Sequence, residues 1–183
     1  MIFKNYINKI ANFAINRLAE LIGIFLIVTS ILLFVSLISY SPEDPNFIFP
    51  ENQVIENLLG LKGSFIADIF FQSIGIISLL IPFSLLFTGV SITINKNLII
   101  IIENIFFIIL YTITATLFFG IFHKETYWLM LNGNNGFVGD LMSDTILADF
   151  LNINKTVSYY LLIFFILLFF LLSSSFKIKH ISN

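Results

Sequence analysis

Four long stretches without a single Asp, Glu, Lys or Arg, at residues 21–42, 69–95, 104–122 and 156–176, decide what this chain can fold into. A bilayer's hydrocarbon layer is about 30 Å thick, and roughly 20 apolar residues of helix cross it while satisfying their own backbone hydrogen bonds. Each stretch meets that length, so each is expected to be a transmembrane helix. The whole chain agrees. Of its 183 residues 58% are hydrophobic and 11% charged, at a mean hydropathy of +0.99, whereas soluble domains carry about a quarter charged residues. An ordinary water-soluble domain is excluded.

The expected fold is all-α and integral to the membrane, with spans at about 21–41, 66–94, 98–121 and 156–176 in a domain covering 21–176. Two longer connections, about 42–65 and 122–155, join the spans on one side, and 177–183 would open a cytoplasmic linker. Residues 1–20 place Ile2, Phe3, Tyr6, Ile7, Ile10, Phe13, Ala14 and Leu18 at helical spacing, with Lys4, Lys9 and several Asn between them. That pattern predicts an amphipathic helix lying on the membrane surface before the chain turns into the bilayer. A cleavable signal peptide fits worse, because the apolar run is longer than such a peptide uses and Pro42 follows its only suitable end. The second span is longer than a bilayer needs and contains Pro82, which predicts a kink or a projection beyond the membrane. The short turn Asn95-Lys96-Asn97 makes the second and third spans an antiparallel hairpin, the third starting near Leu98.

Charge sets the orientation. The side holding both termini and the Lys96 turn carries Lys4, Lys9, Arg17, Lys96, Lys177 and Lys179, against Lys62, Lys124 and Lys155 opposite. The positive-inside rule places both termini in the cytoplasm. Among the acids, only Glu20 and Glu103 fall on the inner half.

Chemical motifs are scarce. With no cysteine there are no disulfides, thiol nucleophiles or Cys-based metal sites, and His123 and His180 lie on opposite sides of the membrane. No phosphate-binding loop, metalloprotease signature or nucleophile elbow occurs, so neither catalysis nor a cofactor nor a metal is expected. A net charge of -2 without a basic patch argues against direct nucleic-acid binding. Asn154-Lys155-Thr156 matches a glycosylation acceptor, which is discounted because it abuts a span. Two features remain. Glu103 is an acid inside the third span, close enough to the cytoplasmic boundary to snorkel or pair with Lys96; the competing reading makes it, or Asp68, the ion site of a small transporter or channel subunit. Asp68, Gln72, Gly75, Leu79 and Pro82 recur at spacings of three and four, a stripe suited to helix packing or self-association.

The segment Leu37-Ile38-Ser39-Tyr40-Ser41-Pro42-Glu43-Asp44-Pro45, followed by Asn57-Leu58-Leu59-Gly60 and by Gly63 through Gly75, resembles the N-terminal four-helix membrane domain of the FtsK/SpoIIIE-type DNA translocases. Its outer-loop residues are Tyr40, Ser41, Pro42, Asp44, Pro45, Gly60 and Gly63. The resemblance implies a bacterial inner-membrane anchor that gathers at the division septum, contacts other division proteins and assembles with copies of itself as a hexamer. It also implies that the ATP-driven motor and its DNA-reading domain should follow after Asn183, outside this chain.

Overall fold

A computed structural model describes residues 2–45, 54–126, 129 and 133–174, with side chains from residue 9 onward. Residues 177–183, expected to open a linker, lie outside the described residues, as do the side chains of residues 2–8. The described residues are helical or irregular, with no strand among them. The helices are α1 (Ile2–Ile38), α2 (Gly60–Ile74), α3 (Ile81–Asn95), α4 (Ile99–Phe122), α5 (Gly136–Ser143), α6 (Ile146–Ile153) and α7 (Lys155–Ser173). Short 3-10 segments occupy Gly75–Leu80 and Gly133–Asn135. Four helical stretches are long and apolar enough to cross a membrane: Lys9–Ile38, Gly60–Asn95, Ile99–Phe122 and Lys155–Ser173.

The first helix corrects an expectation. It does not turn near residue 20 but runs unbroken through 37 residues, about 55 Å at helical rise. The chain offers no reason to break there. Its first glycine is Gly23 and its first proline Pro42, and the charge of Glu20 is met by Arg17 on the same helix and by Lys96 Nζ at 2.8 Å. Side chains 10–18 are exposed along this extension, including Ile10 and Phe13.

The second stretch does kink, but at Gly75 and not at Pro82: it is two helices with a bend between them. At Gly75 the backbone takes φ 65 and ψ -149, a region essentially closed to residues with a Cβ. Gly75 opens a 3-10 segment of six residues ending at Leu80, and Pro82 then stands in the first turn of α3, where its missing N–H costs nothing. Contacts with α1 give the course of the chain. Along α2, Gly63 meets Ser36 while Asp68 and Phe71 meet Tyr40, so advancing about 12 Å along α2 moves the contact toward the end of α1. A descending partner would meet earlier residues of α1. Thus α2 crosses over the end of the bundle, and the descent begins only after Gly75. From there Pro82 meets Ser30, Gly89 meets Gly23 and Lys96 meets Glu20, an antiparallel path of about 34 Å.

α3 and α1 come closest at a glycine pair. A Cβ on either Gly23 or Gly89 would lie 2.7 Å from the other's carbonyl oxygen, so both must be glycine for the helices to approach this far. The turn into α4 is closed by Lys96 in the left-handed conformation (φ 54) and by Asn97 Oδ1, which accepts from the N–H of Ile99 at 3.0 Å. α4 packs along α7. The largest apolar cluster joins Leu33 and Leu37 of α1, Ala67 and Phe71 of α2, Ile77, Ile81, and Tyr111 and Ala115 of α4. A second cluster around Leu117, Phe118, Ala148, Leu151 and Leu162 fixes α6 and α7 to α4.

Candidate interaction site at the loop end

The bundle has two ends: a termini end, with Glu20 and Lys96, and a loop end, where α1 and α4 finish and the long connections lie. At the loop end the outer-loop residues form a closed set of hydrogen bonds. Asp44, 2% exposed, accepts the backbone N–H groups of Glu56 at 2.7 Å and Asn57 at 3.0 Å. Asn57, 4% exposed, donates its amide to the carbonyls of Ser36 and Ser39 at the last turn of α1, and its own oxygen accepts from the N–H of Leu59. Ser36 Oγ donates to the Gly63 carbonyl and Ser64 Oγ to that of Pro45, both at 2.7 Å. The carbonyls that end α1 and the amides that precede α2 therefore satisfy one another through side chains, which lets irregular backbone be buried here.

The two glycines of this motif have different reasons. Gly60 stands at φ 65 with open space around it, while a Cβ at Gly63 would lie 2.2 Å from Asn57 Oδ1. Ser41 accepts from the N–H of Asp44 across the Pro42 turn. Tyr40 hangs over α2, its ring 4.8 Å from that of Phe71 and its hydroxyl donating to Asp68 Oδ1 at 3.4 Å, with Gln72 as a further hydrogen-bond partner.

The expected stripe of Asp68, Gln72, Gly75, Leu79 and Pro82 is not brought to one face. Asp68 and Gln72 do share a side of α2, turned inward to Tyr40 of the same chain. At Gly75 the α-helical register ends, so Leu79 and Pro82 follow different geometry. Gly75 has its own role. A Cβ there would sit 2.0 Å from the carbonyl oxygen of Asn134, and one at Gly136 (φ 63) would sit 2.5 Å from the Gly75 nitrogen. The second connection thus pushes its backbone into the bend, filling it.

That connection is pinned by Asn134, whose amide donates to the carbonyls of His123 and Glu125, and by Asn135, which donates to Asp140 Oδ1 at 2.8 Å. Lys124 Nζ lies 2.7 Å from the same carboxylate oxygen. Burial by itself would raise the Asp140 carboxyl, but the hydrogen bonds from Lys124 and Asn135 outweigh it and hold the group below its ordinary value. α5 then packs on α4 through Gly139 and Gly120: a Cβ on Gly139 would lie 2.7 Å from the Thr116 carbonyl. Within this connection lie two short helices, α5 against the bundle and α6 presenting Ile146, Leu147, Phe150 and Ile153 outward.

Glu103 is exposed on α4, and Lys96, one partner expected for it, bonds Glu20 instead because the end of α3 lies beside α1. Its neighbour Asn104 belongs to the interior. Asn104 donates to Thr88 Oγ1 at 2.7 Å; Thr88 donates to the Ser84 carbonyl; and Ser84 Oγ reaches Tyr111 Oη at 3.2 Å and Ser173 Oγ at 2.9 Å. This chain ties α3, α4 and α7 together inside the bundle. Reading the sequence for charges passed over it, since each member is neutral; a search for Asn, Ser and Thr within the spans would have found it. Asn57 stood in the sequence only as one residue of the resembling segment, without its partners. Asn154, the nominal glycosylation acceptor, caps α7 through the N–H of Val157.

No group of three or more His, Asp or Glu side chains placed to hold a metal occurs among the described residues. Over residues 16–183 the sequence matches the family described as the 4TM region of DNA translocase FtsK/SpoIIIE. No curated protein and no solved structure matches the chain.

Proposed function

Because the chain belongs to the family of the FtsK/SpoIIIE 4TM region, the membrane-anchor region of a DNA translocase, we propose that it holds such a motor at the division septum of a bacterial inner membrane. Both termini face the cytoplasm in this reading, as the excess of Lys and Arg on their side requires. The module recruits and positions; it carries no catalysis, and ATP hydrolysis belongs to the motor part of the family's proteins. Contacts with other division proteins and assembly with copies of itself, up to a hexamer, follow from the family resemblance.

The observation that carries this reading is the family match across the four apolar stretches, together with a loop end closed by the residues that bear the resemblance. Asp44, Asn57 and Gly63 lock the first connection, so the face offered beyond the bilayer has a fixed shape suited to a partner. Glu103 is exposed on α4 and Asp68 accepts from the Tyr40 hydroxyl, so the two carboxylates stand in separate surroundings.

The test is a fluorescent fusion to residues 1–183. Concentration at the division site is expected; uniform distribution of intact fusion around the envelope would overturn the assignment. Single cysteines in this cysteine-free chain test the orientation separately: one at Val54, 89% exposed, should react with an impermeant reagent from outside, and one at Asn97 should not.

A further inference from the structure

Where α4 ends and α7 begins, the surface holds a groove of about 330 Å³ lined by Phe122, Lys155, Thr156, Tyr159 and Tyr160. None of these residues belongs to the loop-end hydrogen bonds described above. Lys155 is the single charged residue of the lining, is exposed, and has no ion pair among the described residues. It is also the first residue of a 19-residue helix, whose opening N–H groups carry the positive end of the helix dipole. Phe122 and Tyr159 form the apolar wall, their rings 5.2 Å apart, and Tyr160 stands at the rim, 68% exposed. The groove therefore joins a positive charge, hydroxyl donors and aromatic surface at the level where two spans leave the apolar region, the depth at which tyrosines meet lipid headgroups.

A second feature continues from it. From the level of the groove downward, Val157, Tyr160, Phe164, Leu167 and Leu171 recur at spacings of three and four and all are more than half exposed, so they form one largely apolar stripe down α7. A ligand with a phosphate at the top and a hydrocarbon tail beneath it matches both parts. A free phosphate would use only the upper part.

We propose that this groove binds the phosphate of an anionic phospholipid, with Lys155 pairing the phosphate, the hydroxyls of Thr156 and Tyr160 donating to it, and an acyl chain lying on the α7 stripe. The site would fix a lipid against the α4 and α7 pair whichever way the bundle is oriented, and so it stands independently of the septal assignment.

The experiment measures lipid retained by the purified full chain in neutral detergent by native mass spectrometry. Its probes are phosphatidylglycerol and phosphatidylcholine of identical acyl chains, with inorganic phosphate as competitor. Phosphatidylglycerol should be retained in preference to phosphatidylcholine. Lys155→Gln should lower its retention about fivefold, the effect of one lysine at an anionic lipid surface. Lys155→Arg should keep it, and Lys62→Gln, which removes an exposed lysine of α2 outside the groove, should leave it near the wild-type level. All these side chains are exposed, so helicity should be unchanged, and Tyr160→Phe should weaken retention without touching charge. The proposal falls if the two lipids are retained equally, if Lys62→Gln costs as much as Lys155→Gln, or if inorganic phosphate displaces the lipid as well as phosphatidylglycerol does.

Discussion

The two ends of the bundle are held together by different physics. At the loop end the chain is fastened by buried groups: Asp44 at 2% exposure, Asn57 at 4%, and glycines whose missing Cβ admits a neighbouring backbone. At the termini end the fastening is an ion triad, Arg17–Glu20–Lys96, with side chains 59%, 21% and 40% exposed. Buried donors left unpaired have no water to turn to, whereas exposed ions exchange one partner for another at little loss. The loop end should therefore respond sharply to single substitutions and the termini end weakly. A face that must present one shape to a partner is built the first way, and a boundary that must only mark the membrane surface can be built the second.

The sharpest way to break this contrast is Gly75→Ala. The added Cβ would meet the backbone carbonyl of Asn134 at 2.0 Å, at a φ that alanine avoids. We expect a loss of about 3 kcal/mol or more, with residues 133–143 losing hydrogen-exchange protection as the second connection leaves the bend. Unchanged protection there would mean that the bend does not depend on this contact. Next comes Asp44→Ala, which strands the N–H groups of Glu56 and Asn57 and loosens the hold of Asn57 on α1. About 2 to 3 kcal/mol of unfolding free energy should be lost in detergent, and Asp44→Asn, able to accept one bond, should recover part of it.

These expectations rest on residues of which the sequence showed unequal amounts. The four spans were legible because charge is excluded from hydrocarbon whatever the tertiary structure, so its absence can be read directly. The bend at Gly75 was not, since a glycine within a helical pattern is tolerated and its conformation here is decided by Asn134, some sixty positions away. Pro82 drew attention as the source of a kink, yet it sits harmlessly in the first turn of α3 and the break lies a few residues earlier. Asp44, Asn57 and Gly63 all stood in the segments that carry the resemblance, while the bonds by which Asn57 joins Asp44 to the end of α1 could be found only in three dimensions. On α1, the spacing of Ile10, Phe13 and Leu18 gave an amphipathic face, but periodicity alone does not say where a helix bends, and no glycine or proline precedes Gly23 to bend this one.

A smaller effect is expected at the other end. Lys96→Gln removes the link from α3 to Glu20 but leaves Glu20 its bond from Arg17 and access to solvent. The unfolding midpoint should move little, and added salt should shrink even that difference. A loss as large as that of Asp44→Ala would show that the triad is a structural lock and erase the contrast between the ends.

The finest test asks whether charge contributes at the loop end too, through Asp140. Its carboxyl titrates below the ordinary value of 3.8 because Lys124 and Asn135 favour the ionised form over the opposing effect of burial. A depressed folded-state value means that the stabilisation is fully present above the ordinary value and is lost as pH falls below it toward the folded value. The difference in stability between the wild type and Asp140→Asn should therefore stay level from neutral pH down to about 4 and close at more acid pH. With the side chain 34% exposed, the difference should be small throughout. A difference that instead stays level into acid pH would show that what Asp140 adds does not come from its ionisation, and the second connection would then be held by burial and neutral hydrogen bonds alone.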